Sequence, residues 1–138
     1  MWVMNRSPAE SDTTPPVRVL TVDDQEVFRL VAREVSEATP GFESIGDASG
    51  GEEALWAVKR LEPEMVLLDV RMPGLDGVEV ARRLRATNPA TLVVLISVEE
   101  PMDIPSAAQL ADTIPLVRKQ DLRPRLLRRL WREHRPLK

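Results

Sequence analysis

The chain has 138 residues, 43% hydrophobic and 30% charged, with a formal net charge of -3 and no cysteine. That length suits one domain around one core, and the charge gives no general attraction to nucleic acid or anionic membrane. Disulfides, thiolate metal sites and cysteine nucleophiles are excluded. No apolar run approaches the ~18 residues of a membrane span, and no secretory pattern opens the chain, so a cytoplasmic location is expected.

Residues 1–16 are rich in Ser, Pro, Thr and acids and carry no periodicity, which is the composition of a disordered arm closed by Pro15-Pro16. From Val17 onward, short apolar runs alternate with amphipathic stretches. The runs Val17 to Val22, Phe42 to Ile45, Met65 to Leu68, Thr91 to Ile96 and Ile114 to Val117 read as strands. The third and fourth are apolar on both faces, as buried parallel strands are.

Helical patterns lie between them. Val27, Leu30, Val31, Val35 and Ala38 form one apolar stripe, and Ala54, Leu55, Val58 and Leu61 a second. Ser49 with Glu52 fits a capping box, and Asp76 with Glu79 fits a similar start for a third helix through Ala81 and Leu84. A fourth helix, from Pro105 to Ala111, is short because Pro101 and Pro105 break the pattern. A fifth follows Asp121 as its cap, with Leu122, Leu126, Leu127, Leu130 and Trp131 on one face.

Strands alternating with helices require right-handed crossovers and a parallel sheet covered on both sides. The expected fold is α/β: a flavodoxin-like, doubly wound (βα)5 domain over residues 17–134, strand order 2-1-3-4-5, with a tail at 135–138. In that order, sites form beyond the carboxyl ends of the first and third strands. The first runs into Asp23-Asp24 and the third into Asp69. Acids after strands often cap the next helix, which accounts for one of the three. Like charges ~4 Å apart repel by about 4 kcal/mol at an effective dielectric near 20, so three converging carboxylates favour a hard cation such as Mg²⁺. The fourth strand ends in a hydroxyl, Ser97, and the fifth in a cation, Lys119.

These residues resemble the receiver domain of two-component response regulators, in the stand-alone form similar to chemotaxis regulators. "LLDVRMPGLDG" matches the family pattern D-x-x-M-P-x-x-x-G with Asp69, Met72, Pro73 and Gly77, and "VDD", "LIS" and "LVRKQDL" supply the remaining elements in order. The resemblance implies that Asp69 is the phosphoacceptor. It implies Mg²⁺ bound by Asp24 directly, by Asp23 largely through water, by Asp69 and by the backbone carbonyl of Arg71. Lys119 would pair with phosphoryl oxygens and Ser97 would hydrogen-bond one of them.

The implied role is a phosphorylation-controlled switch and not an enzyme, beyond Mg²⁺-dependent self-phosphorylation and autodephosphorylation. A sensor histidine kinase is the expected donor, and a downstream protein or a histidine phosphotransfer domain the expected recipient of the signal. A homodimer is compatible with this reading. The alternatives are a phosphorelay intermediate and a receiver-like scaffold whose output is independent of phosphorylation.

Two switch positions depart from the family pattern. Leu116 stands where an aromatic usually precedes the lysine by three residues, and Val98 follows the hydroxyl where a small residue is usual. The proline-broken fourth helix also makes the customary output face irregular. The basic stretch from Arg118 to Lys138 reads as a solvated helix face, and without a recognisable module it offers no base readout, so nucleic acid is not an expected partner. The single histidine, His134, is expected to be exposed and to carry no phosphoryl group.

Overall fold

The computed structural model describes residues 14–100, 103–104 and 113–136. The expected arm falls almost wholly outside these, as do the expected helix from Pro105 to Ala111 and the last two residues of the tail. Five parallel strands form one sheet: β1 Val17–Val22, β2 Phe42–Ala48, β3 Met65–Asp69, β4 Leu92–Ser97 and β5 Leu116–Arg118, in the order β2-β1-β3-β4-β5. Four α-helices are present among the described residues: α1 Glu26–Ala38, α2 Gly51–Leu61, α3 Gly77–Thr87 and α4 Pro124–His134.

The apolar runs became strands because the sheet is covered on both faces, so successive residues can all be buried. Leu20, Val22, Val66, Leu68, Val93 and Leu95 pack against Ala54, Val58, Val80, Ala81 and Leu84 of α2 and α3. Val19, Met65, Leu67, Val94 and Ile96 face the other way, against Ala32 of α1 and Leu127 and Leu130 of α4. β3 is central, and all five of its residues are buried. Its last residue is an aspartate, so the sheet holds that carboxylate on its central, fully buried strand.

Several local expectations are corrected. The stripe Val27, Leu30 and Val31 does not face the core; these side chains are 74%, 45% and 42% exposed. The helix turns its Ala32–Ser36 edge inward, with Phe28 and Val35 half-buried beside it. Small residues let the helix lie close to the sheet, and the Ser36 hydroxyl is satisfied by donating to the Ala32 carbonyl at 2.8 Å. Periodicity could not choose between two adjacent stripes of equal period.

The start of α2 is also rearranged. Gly50 is its N-cap, and the Ser49 amide and hydroxyl both donate to Glu53, not Glu52, at 2.8 Å. Asp121 does not cap α4. It closes a 3₁₀ turn, Lys119–Asp121, and the helix begins at Pro124 behind Arg123. Proline suits that first position because its fixed φ is helical and its missing N–H would have had no partner there. β5 begins two residues later than expected, since Ile114 is buried ahead of it.

The face chosen by α1 makes a measurable difference. Ala32→Leu overpacks the helix–sheet contact and is expected to cost about 1–3 kcal/mol in urea unfolding. Val27→Ala, on the exposed stripe, is expected to stay within about 0.5 kcal/mol.

Candidate functional site

The register brings the acids together. Val22 pairs with Leu68, so the residues that follow, Asp23 and Asp69, leave the sheet side by side. Carboxylate oxygens of Asp23, Asp24 and Asp69 all lie within 4.8 Å of one another. Asp23 is fully buried and Asp69 nearly so, while Asp24 is exposed. Neither Asp23 nor Asp24 is the N-cap of α1, a position held by Gln25; Asp23 instead accepts from the Gln25 amide at 2.8 Å within the turn. Arg29 fixes that turn from behind, donating to the Asp23 carbonyl at 2.8 Å and pairing with Asp47 at 3.6 Å.

Lys119 opens the 3₁₀ turn directly after β5, and its chain runs back over the acids. Its Nζ lies 2.6 Å from Asp23 Oδ2 and 3.7 Å from Asp69 Oδ2, with the side chain only 11% exposed. Burial pushes the Asp69 carboxyl up to about 7, and the charges of Asp23 and, less strongly, Asp24 push the same way. Lys119 and the Arg71 backbone N–H oppose this without cancelling it. One ammonium is insufficient for three carboxylates, and a second cation would relieve the excess.

The turn behind Asp69 is built for close approach. Met72 is buried in the core, whereas Pro73 and Gly74 are exposed, with Gly74 at φ +77°. Asp76 caps α3 as expected, accepting from the Glu79 amide at 2.9 Å. A Cβ on Gly77 would sit 1.9 Å from the Asp69 carbonyl oxygen, so only glycine allows α3 to start against the strand end.

Ser97 ends β4, buried, with its hydroxyl accepting from the Glu99 amide at 2.9 Å. The bond ties Ser97 to its own loop and leaves the hydroxyl's donor free. Arg71, exposed, forms a two-pronged pair with Glu99, joining the loop after β3 to the loop after β4. Val98 is 64% exposed and Leu116 half-buried against the core. His134 is exposed at the end of α4, far in sequence from the acids. Sequence reasoning missed Phe28, Arg29 and Glu99. Phe28 alone left a signal, as one of two phenylalanines and four residues after Asp24.

A sequence model of the response regulator receiver domain matches residues 19–130. The chain belongs to that family. Among relatives of this receiver domain, a protein-glutamate methylesterase/protein-glutamine glutaminase of Myxococcus xanthus is 41% identical over 105 residues, covering 75% of this chain and 30% of that protein. The response regulator GacA of Pseudomonas viridiflava is 37% identical over 90 residues, 65% of this chain and 42% of that one. The chain thus spans less than half the length of these curated relatives. The signal receiver domain of response regulator NarL from Mycobacterium tuberculosis superposes with a TM-score of 0.74 at 30% identity, covering 86% of this chain and 96% of that one. Receiver domains of two-component systems interact with histidine kinases and downstream partners, and typically bind Mg²⁺ at an acidic pocket; this one has three aspartates that could hold such an ion. Among the described residues, no helix is long and apolar enough to cross a membrane.

Two outcomes follow from this geometry. Gly77→Ala is expected to cost about 1–3 kcal/mol in chemical unfolding, because backbone must move to admit the methyl. The raised Asp69 carboxyl also sets a pH dependence. Between its ordinary value of 3.8 and about 7, the native protein holds a proton that the unfolded chain has released. Stability in metal-free buffer therefore falls as pH rises through that interval, by at most about 1.4 kcal/mol per pH unit. Asp69→Asn is expected to be more stable than wild type at pH 8, with the gain shrinking towards pH 4 in paired urea titrations.

Proposed function

We propose that this receiver domain is phosphorylated on Asp69 by a histidine kinase and signals through protein–protein contacts. The observation that carries the reading is the pairing of a near-buried carboxylate, at the end of the central strand, with two further acids and one lysine ammonium. Such a carboxylate is a poor structural element, since burial and like charge both act against its ionisation. It is well suited to be a nucleophile whose charge is restored when a cation arrives.

In this reading Asp24, Asp23, Asp69 and the Arg71 backbone carbonyl hold Mg²⁺. Bound there, the ion would neutralise charge on the transferring group and keep Asp69 ionised. The donor set fits a hard cation, being all oxygen, with one exposed acid at its mouth. An Asp69 oxygen attacks phosphorus, the P–N bond to the donor imidazole breaks, and the departing nitrogen keeps the electron pair and takes up a proton. Lys119 loses carboxylate partners and gains phosphoryl oxygens, to which its point charge is equally suited. Ser97 joins them by donating its hydroxyl proton, which its acceptance from the Glu99 amide leaves free, so a shift of Ser97 towards the phosphoryl group pulls on that loop.

Phosphorylation then biases the arrangement of the loop after β4. With Leu116 in place of the usual aromatic, the output does not run through rotation of an aromatic ring, which leaves the Ser97–Glu99 loop as its carrier. Stand-alone action without an effector domain belongs to the same proposal.

Incubation with Mg²⁺ and acetyl phosphate is expected to add one phosphoryl group by intact mass, absent in Asp69→Asn. Beryllofluoride is expected to shift the amides of Asp23, Asp69, Ser97, Glu99 and Lys119 in wild type only. Labelling that persists in Asp69→Asn would refute the assignment.

A further inference from the structure

We propose that Phe28 is a positioning residue for phosphoryl transfer, seating the Lys119 ammonium over its ring so that the cation stays at the site while its carboxylate partners change. This rests on the reading of Asp69 as the phosphoacceptor. The Lys119 Nζ stands 4.7 Å from the centroid of the Phe28 ring, within the range at which a cation is held by an aromatic face.

Three features make the contact more than incidental. First, the other partners of the Lys119 ammonium are Asp23 and Asp69, the carboxylates whose charge and ligation change in the reaction. Lys119 leaves a three-residue edge strand on a 3₁₀ turn and reaches the acids through a long flexible stem. Second, the ring is anchored. Phe28 lies in the first turn of α1, half-buried, and packs against the cluster built by Val19, Ala32, Leu127 and their neighbours. The next residue, Arg29, ties the same turn to the Asp23 carbonyl, so ring and acid are set by one piece of backbone. Third, the shortest ionic contact of the ammonium, 2.6 Å to Asp23, is with a residue assigned here to metal binding. A cation on the acids competes for that carboxylate, whereas the ring face binds no hard metal and remains available throughout. At 11% exposure, the ammonium has little water to replace a lost partner.

The test compares the full chain with Phe28→Leu, which fills most of the space without a π face, and Phe28→Tyr, which keeps one. In wild type the Lys119 ε-methylene protons are expected to be shifted upfield by the ring current, a signature that needs no phosphoryl group. Phe28→Tyr should retain that shift and phosphorylate within about twofold of wild type. Phe28→Leu should lose the shift, keep its Mg²⁺ titration curve, and be phosphorylated by acetyl phosphate roughly five- to tenfold more slowly. If the leucine variant does not fold, Phe28→Met replaces it. An unshifted wild-type Lys119 overturns the proposal, as does a leucine variant phosphorylated at the wild-type rate, or a tyrosine variant as slow as the leucine one. A wild type that shows the shift but takes up no phosphoryl group defeats the phosphoacceptor reading instead, and the variants' shifts then decide by themselves whether Phe28 seats the lysine.

Discussion

Three carboxylates meet at the carboxyl edge of this sheet, and the Lys119 ammonium is the cation that directly bridges two of them, Asp23 and Asp69. At separations near 4 Å, such charges interact by several kcal/mol even at a moderate effective dielectric, so their arrangement cannot be accidental to stability. The rest of the fold is organised around tolerating it. The sheet supplies rigidity, the lysine offsets part of the repulsion, and Asp69 keeps an affinity for a proton that an exposed aspartate would lack. A site under that tension responds to any added cation or to any change in the charge of Asp69.

That tension is kept local by the surrounding turns. Behind Asp69, Met72 is buried in the core while the chain reverses through Gly74, and α3 begins against the strand end at a distance only Gly77 permits. Beside it, Arg29 holds the Asp23 turn through its backbone carbonyl. Across the mouth, Glu99 takes the Arg71 guanidinium on its carboxylate and gives its amide hydrogen to Ser97. One residue thus links the loop after Asp69 to the loop after Ser97. Ser97, Glu99 and Arg71 form one chain of contacts, which does not include Leu116.

The family relationship and the particular features of this chain separate cleanly. Membership rests on the match over residues 19–130, which includes the acid pair, the Asp69 turn, Ser97 and Lys119 on one sheet edge. What is particular lies just outside: Val98 exposed at the rim, Leu116 on a short edge strand, and Val27, Leu30 and Val31 uncovered on α1. The curated relatives are longer chains of which this one covers less than half, so similarity to them speaks to the receiver domain and not to the output.

The sequence by itself determined the alternation of strands and helices, because runs such as Met65 to Leu68 are apolar on both faces, too short for a helix and set between helical patterns. It also determined which residues could reach the site, since Asp23, Asp24, Asp69, Ser97 and Lys119 each stand at or just beyond a strand's carboxyl end. A resemblance in motif then suggested the roles proposed for them. Only the tertiary structure decided which stripe of α1 is buried, since Ala32 and Ser36 win by their small size against the sheet and not by hydrophobicity. Only it showed Lys119 nearer Asp23 than Asp69, Ser97 turned to Glu99, and Phe28 beneath the ammonium. The contacts of Lys119 with Asp23 and Phe28 join residues 96 and 91 positions apart, set by strand order and register, and no local pattern in a chain encodes the distance between two side chains that its topology brings together.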